Sequence, residues 1–197
     1  MKKDKEIMIL TAAYFLALPA MFILPLFNVP EYSIVGNTLS ELGAQFSPNA
    51  WIMNSLFVSL GVSSVIAGWG YFEGFMLHRI VLILFGISIV LIAFFNHAPV
   101  NPDIQYNIRE DEWHAYFTYS AGLSFVILSI ATGFILEKRE NRLLAIAAGI
   151  SAIFLSIMMS ETDRFAGIWN RLLFIIMFGW LIYNFKNRNY KNRNHYR

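Results

Sequence analysis

The chain has 197 residues, of which 57% are apolar and 14% are charged, with a formal net charge of +2 and a mean hydropathy of +0.52. This composition is typical of a membrane protein rather than of a soluble domain. The absence of Cys excludes thiol catalysis, disulfides and thiolate metal sites. The sequence also lacks the GxxxxGK[ST] phosphate loop and the GxGxxG dinucleotide fingerprint.

Six apolar stretches are each long enough to cross a hydrocarbon core about 30 Å thick, which takes roughly 20 residues of helix. They cover residues 7–27, 49–72, 77–96, 114–136, 141–160 and 165–185. Pro19 and Pro25 predict a bend in the first of them. We therefore predict an all-α, six-transmembrane-helix bundle. Residues 1–185 would form a single integral membrane domain, and residues 186–197 a basic cytoplasmic tail.

The charge distribution predicts the orientation of the bundle. Six spans place both termini on one side, and that side receives twelve of the fifteen Lys and Arg residues but five of the thirteen Asp and Glu residues. By the positive-inside rule, both termini are cytoplasmic and the protein is a multi-pass protein of the cell membrane. The basic tail is attracted to anionic headgroups, so membrane lipids are expected partners and no nucleic acid is needed to explain it.

Polar residues collect on the opposite, outer half of the bundle, where ionisable side chains are costly and indicate a site. The first set, with expected catalytic roles, comprises Glu41, His97, Asp103 and His114. The second set, with expected ligand-binding roles, comprises Asn37, Ser40, Asn54, Glu161, Arg164 and Arg171. Convergence of both sets on one side predicts an outward-facing polar cavity.

The segment NTLSELG, residues 37–43, also allows a purely structural interpretation. Thr38 followed by Glu41 matches a capping box, in which the Glu side chain reaches back to the amide of the cap residue. The segment is therefore predicted to form a short interfacial helix or turn in the first outer loop, starting at Asn37 or Thr38. The acidic run at residues 110–112 favours a helix N-terminus and is interpreted as solvated.

His97, Asp103 and His114 are the candidate metal ligands. With Glu41 or Glu161 they would supply two imidazoles and two carboxylates, enough for zinc or another divalent ion with one position left for water. The spacing matches neither HExxH nor HxxxH. Two interfacial histidines that make ordinary hydrogen bonds are the alternative, so the cofactor stays open.

Arg171 lies inside the sixth apolar stretch, where an Arg costs at least about 2.5 to 3.5 kcal/mol at the centre of the membrane. Its charge must be met, because the guanidinium is never deprotonated in practice. We predict a carboxylate partner from another segment, first Glu41 and next Glu161. An anionic ligand such as a lipid phosphate could also meet the charge, and snorkelling of the side chain towards water is a further alternative.

The chain resembles an uncharacterised bacterial and archaeal multi-pass membrane family, known as domain of unknown function nine-nine-eight. The residues that carry the resemblance are NTLSELG, Asn54, FFNHAPVNPD, His114 and an Arg in the last span. The resemblance covers most of the six spans and implies a six-helix bundle.

A more distant resemblance is to the ceramidase and adiponectin-receptor superfamily, intramembrane hydrolases with a Ser, an Asp and three His around zinc. Four residues of this chain partly resemble that set: Ser40, His97, Asp103 and His114. The chain departs from it in lacking an HxxxH pair and in having six spans where that group typically has seven.

These observations favour a protein that binds or processes lipid at the outer face. If it is an enzyme, hydrolysis is the reaction class expected, with a His or a carboxylate acting as general base on water. The alternative is a non-enzymatic partner subunit of another membrane protein, or a small transporter. Whether five of these residues converge in space distinguishes the interpretations, and scattered positions would favour the partner subunit. The five are Glu41, His97, Asp103, His114 and Arg171.

Overall fold

The computed structural model describes residues 2–187, which form helices and loops without a strand. The helices are α1 (Lys2–Ile23), α2 (Leu39–Leu42), α3 (Ala50–Tyr71), α4 (Met76–Phe94), α5 (Ile108–Ile135), α6 (Arg139–Glu161) and α7 (Ala166–Lys186). There are two short 3-10 segments: Leu24–Phe27 precedes the first long loop, and Asp163–Phe165 precedes α7. Of the basic tail expected at 186–197, residues 188–197 lie outside the described part.

Six of these helices are long and apolar enough to cross a membrane, which confirms the all-α, six-span prediction. Only α2, with four residues, is too short to span. That both termini are cytoplasmic and that α2 lies at the membrane interface stay predictions.

The fourth span begins earlier than hydropathy predicted, at Ile108 rather than at residue 114. Asn107 is its N-cap, and the Asn107 side chain accepts a hydrogen bond from the amide of Glu110 at 3.3 Å. Glu110 and Asp111 in the first turn favour the positive end of the helix dipole. The cap thus extends α5 beyond its apolar part.

The end of α1 leaves one carbonyl group without its usual partner. The helix passes through Pro19 and ends at Ile23, and Pro25 lies in the 3-10 segment that follows. In an α-helix the carbonyl of Met21 would accept from the amide of residue 25, but proline has no amide hydrogen. The Met21 oxygen is therefore available to a donor from elsewhere.

The six long helices pack as a ring, in which each contacts the next along the chain and α1 contacts both α3 and α7. A Cβ on Gly61 of α3 would lie 2.6 Å from the carbonyl oxygen of Gly86 on α4, so these helices approach at backbone distance. Phe85, Phe125 and Phe178 are fully buried and in ring contact between α4, α5 and α7. Aromatic side chains thus fill the space between these helices.

The two ends of the bundle differ in chemistry. We call the end with segments 24–49, 95–107 and 162–165 the loop end, and the end with segments 5–8, 72–75, 136–138 and 183–187 the terminal end. At the terminal end, Tyr71 donates to Asn184 at 3.0 Å and Tyr183 donates to Asn141 at 3.0 Å. The predicted outer site residues belong to the loop end.

Candidate functional site at the loop end

The segment NTLSELG forms a capped turn of helix, as predicted. Thr38 is the N-cap of α2, and its backbone amide and hydroxyl both donate to Glu41 Oε2, at 2.5 and 2.9 Å. The Asn37 side chain donates to the other carboxylate oxygen at 2.6 Å. Glu41 therefore holds the start of α2, which is the structural role that the capping-box interpretation gave it.

The segment before α2 binds the N-terminus of α7. The first amides of a helix have no acceptor within the helix. Here the amides of Gly167 and Ile168 donate to the carbonyls of Gly36 and Val35, at 3.2 and 3.3 Å. A Cβ on Gly167 would lie 2.4 Å from the carbonyl oxygens of Ile34 and Asn37, so the contact requires glycine. The first loop is thereby fixed to the last span.

Arg171 lies beneath this contact and is only 3% exposed. Its Nη1 donates to the carbonyls of Ile34, Asn37 and Gly167, each at 2.9 Å. Its Nε donates to the carbonyl of Met21 at 3.2 Å, and its Nη2 donates to the hydroxyl of Tyr32 at 2.8 Å. Four carbonyl dipoles and a phenol oxygen thus surround the guanidinium.

The predicted carboxylate partner of Arg171 is wrong for both candidates. Among the described side chains, those of residues 5–187, no carboxylate oxygen lies within 4.0 Å of its guanidinium. Glu41 reaches it only indirectly, because Asn37 accepts from Arg171 through its carbonyl and donates to Glu41 through its side chain. Glu161 is exposed at the end of α6. The sequence could not reveal that freed carbonyls, among them that of Met21, would meet the charge.

Tyr32 completes the surroundings of Arg171. Its hydroxyl donates to the carbonyls of Thr38 and Asn37, at 2.9 and 3.2 Å, and accepts from Arg171. Burial raises the pKa of Tyr32, and the nearby guanidinium opposes that shift in part. The phenol therefore stays neutral and relays hydrogen bonds between the first loop and α7. We call Tyr32, Asn37, Glu41, Gly167 and Arg171 the Arg171 cluster.

Gln45, which the sequence analysis did not single out, joins the first long loop to the second. It is 7% exposed, and its side-chain amide donates to the carbonyls of Asn96 and Asn107, at 3.2 and 3.1 Å. Its side-chain oxygen accepts from the Asn107 amide at 2.9 Å, and its own amide donates to the carbonyl of His97 at 2.9 Å. Nearby, Asn54 donates to the side chain of Asn96 at 3.1 Å.

His97 and His114 do come together, with ring centroids 5.1 Å apart and edge to face. His114 is 3% exposed, and its Nδ1 lies 2.7 Å from the carbonyl oxygen of Phe95. His97 is partly exposed, and its Nδ1 lies 3.6 Å from a carboxylate oxygen of Asp111. We call His97, Asp111 and His114 the histidine cluster.

The structure does not bring the predicted metal ligands together as a set. No group of three or more His, Asp or Glu in the described chain has the geometry to hold a metal ion. Asp103 is exposed, and its amide donates to Asn101 within the second loop. The carboxylate beside His97 is Asp111 instead. A metal at this end therefore has no support from the geometry.

The acidic run at residues 110–112 lies in the first turns of α5, and two of its three carboxylates accept hydrogen bonds from backbone amides. A carboxylate oxygen of Glu110 accepts from the amide of Asn96 at 2.9 Å, and Asp111 accepts from the amide of Ala98 at 2.7 Å. These contacts hold the chain where it leaves α4. The interpretation of the run as solvated is wrong for these two residues, whereas Glu112 is exposed.

The other predicted site residues make fewer contacts. Among the described residues, the hydroxyl of Ser40 has no hydrogen-bond partner, and its carbonyl accepts from the Gly43 amide. Arg164 is exposed, with its guanidinium 5.6 Å from the ring centroid of Phe165. The predicted residues therefore divide between the Arg171 cluster, the histidine cluster and the surface. The α2 segment and Gln45 link the two clusters.

An open groove of about 460 Å³ lies beside the histidine cluster, where α4 ends and α5 begins. We call it the loop-end groove, and its lining residues are Phe94, Phe95, Asn107, Arg109, Glu110 and Trp113. Trp113 stacks on Phe117 at 5.8 Å and contacts Phe95 at 6.1 Å. Arg109 is exposed, and its guanidinium has no hydrogen-bond or carboxylate partner among the side chains of residues 5–187.

Six apolar helices with polar clusters at one end define the class: a multi-pass helical membrane protein. A family model described as "Protein of unknown function (DUF998)" matches residues 11–183, and the chain belongs to that family. The match confirms the first resemblance and extends over all six spans. Comparisons with curated proteins and with solved structures found no match.

Proposed function

We propose that the protein binds a membrane lipid with an anionic headgroup in the loop-end groove, as a multi-pass protein of the cell membrane. The observation that carries the proposal is the exposed guanidinium of Arg109, which has no partner among the described side chains and lies on a groove with aromatic walls. Phe94 and Trp113 are 67% and 42% exposed at the ends of two spanning helices. Aromatic rings at this level favour contact with acyl chains and headgroups.

Part of the polar lining of the groove is hydrogen-bonded within the protein. The Glu110 carboxylate accepts from the Asn96 amide, and the Asn107 amide donates to Gln45. Arg109 is the cationic residue of the lining, and a guanidinium binds phosphate in bidentate geometry. Arg171 does not fit that role, because it is buried and its guanidinium donates to backbone carbonyls and to the Tyr32 hydroxyl.

Lipid binding by matched variants tests the proposal. Purified protein is titrated with phosphatidylglycerol or phosphatidylcholine of the same acyl chains, and bound lipid is counted by native mass spectrometry. Arg109→Gln should weaken phosphatidylglycerol binding. Arg164→Gln is the control, since Arg164 is also an exposed Arg at the loop end but lies outside the groove. Equal affinities for Arg109→Gln and the control would overturn the proposal.

Hydrolysis of the bound lipid is a second candidate, favoured by one observation. His97 is partly exposed, and its Nδ1 lies 3.0 Å from the carbonyl oxygen of Ala98 and 3.6 Å from Asp111. An imidazole held through one ring nitrogen can act as general base on water through the other. His97 also follows Phe95 of the groove by two positions. Product formation by the wild type that His97→Gln abolishes, with lipid binding retained, would support it. Intact lipid after prolonged incubation with the wild type would rule it out.

A further inference from the structure

We propose a second anionic-lipid site at the opposite, terminal end, between α1 and α7. A groove of about 230 Å³ lies there, which we call the terminal groove, and it is lined by Ile7, Met8, Thr11 and Lys186. Its occupant is one phospholipid, with an acyl chain along the groove and the headgroup phosphate on the Lys186 ammonium. This site is independent of the loop-end groove.

The walls of the terminal groove suit an acyl chain. Met8 is 63% exposed and Ile7 is partly buried, so apolar surface faces outward between two spanning helices. The hydroxyl of Thr11 donates to the Ile7 carbonyl at 2.8 Å, so its hydrogen is already used within α1. The groove is lined by residues of two candidate membrane-spanning helices, α1 and α7.

The charge at the rim selects the headgroup. Lys186 is exposed in the last turn of α7, and no carboxylate of the described side chains lies within 4.0 Å of its ammonium. Lys5, also exposed, begins the turn of α1 that leads into the groove. Basic pockets between membrane helices bind anionic headgroups, so the rim and the apolar walls together fit an anionic phospholipid.

The test uses the full chain in detergent, titrated with dioleoyl phosphatidylglycerol and, in parallel, dioleoyl phosphatidylcholine. Lys186→Gln removes the charge, and Thr11→Phe fills the groove. Lys138→Gln is the matched control, because Lys138 is an exposed Lys at the same end but outside the groove. All variants are also made in the Arg109→Gln background, which removes the loop-end contribution to binding.

Lys186→Gln should weaken phosphatidylglycerol binding about fivefold, the effect of one Lys at a membrane surface. It should leave phosphatidylcholine binding unchanged. Thr11→Phe should weaken binding of both lipids, and the effect of Lys186→Gln should be the same in both backgrounds. An equal loss with Lys138→Gln would show diffuse attraction to the basic end and overturn the site.

Inorganic phosphate distinguishes a lipid from a free anion as the ligand. If millimolar phosphate displaces phosphatidylglycerol and Thr11→Phe has no effect, the groove holds an anion alone and the lipid assignment is wrong. If phosphate does not compete, the acyl chain contributes to binding as proposed. A loss of binding caused by Arg109→Gln alone would be assigned to the loop-end groove and would not bear on the terminal groove.

Discussion

Replacing Arg171 with Met should destabilise the loop end strongly. Met fills part of the same volume but donates no hydrogen bond. The carbonyl of Gly167 keeps its hydrogen bond within α7, and the carbonyl of Asn37 keeps the one from Tyr32. The carbonyls of Met21 and Ile34 lose their donor. A buried polar group left unsatisfied costs about 1 to 3 kcal/mol. Two such groups predict a loss of about 2 to 6 kcal/mol in the free energy of unfolding.

The assay is unfolding in mixed micelles, followed by circular dichroism as the fraction of sodium dodecyl sulfate increases. Arg164→Met is the control, because Arg164 is exposed and its loss should be close to neutral. Arg171→Lys keeps the charge but supplies three donors on a single nitrogen, so it should recover part of the loss. Equal stability of Arg171→Met and Arg164→Met would refute the carbonyl arrangement.

A double-mutant cycle between Arg171→Met and Glu41→Gln should give a coupling energy at the low end of the range of about 0.5 to 3 kcal/mol for residues in one hydrogen-bond network, since Asn37 stands between them. A value at the high end would indicate direct pairing. Gly167→Ala should release residues 34–37 from α7 and expose them to limited proteolysis, and an unchanged digest would contradict the packing. Burial raises the pKa of Tyr32 above its usual value of 10.0, so at high pH the folded chain holds a proton that the unfolded chain has lost. The stability that this proton contributes should be full below about pH 10 and fall as the pH rises through the folded pKa. Tyr32→Phe should remove that fall, and a variant with the wild-type pH profile would count against it.

Much of the fold was predictable because hydropathy and span length depend on composition alone. The six spans and the capped turn at Thr38 each follow from short, continuous stretches of sequence. The start of α5 at Ile108 was missed because an N-cap and acidic first turn extend a helix beyond its apolar part. Charged residues near the start of a span mark the end of the apolar stretch, and the helix itself can continue beyond them.

The candidate site was less predictable, because its contacts join segments distant in sequence. The proximity of His97 and His114 was expected, but the carboxylate beside them is Asp111 and not Asp103. Gln45 gave no signal, since a single Gln in a loop carries no motif. The partners of Arg171 are backbone carbonyls, which every residue has and which a sequence cannot distinguish.

The most direct test of the central claim is an electron cryomicroscopy structure of the protein in nanodiscs that contain phosphatidylglycerol. We expect a lipid in the loop-end groove, with its phosphate within hydrogen-bond distance of the Arg109 guanidinium and an acyl chain against Phe94 and Trp113. A groove closed by protein side chains, or a lipid whose headgroup lies away from Arg109, would contradict the proposed function.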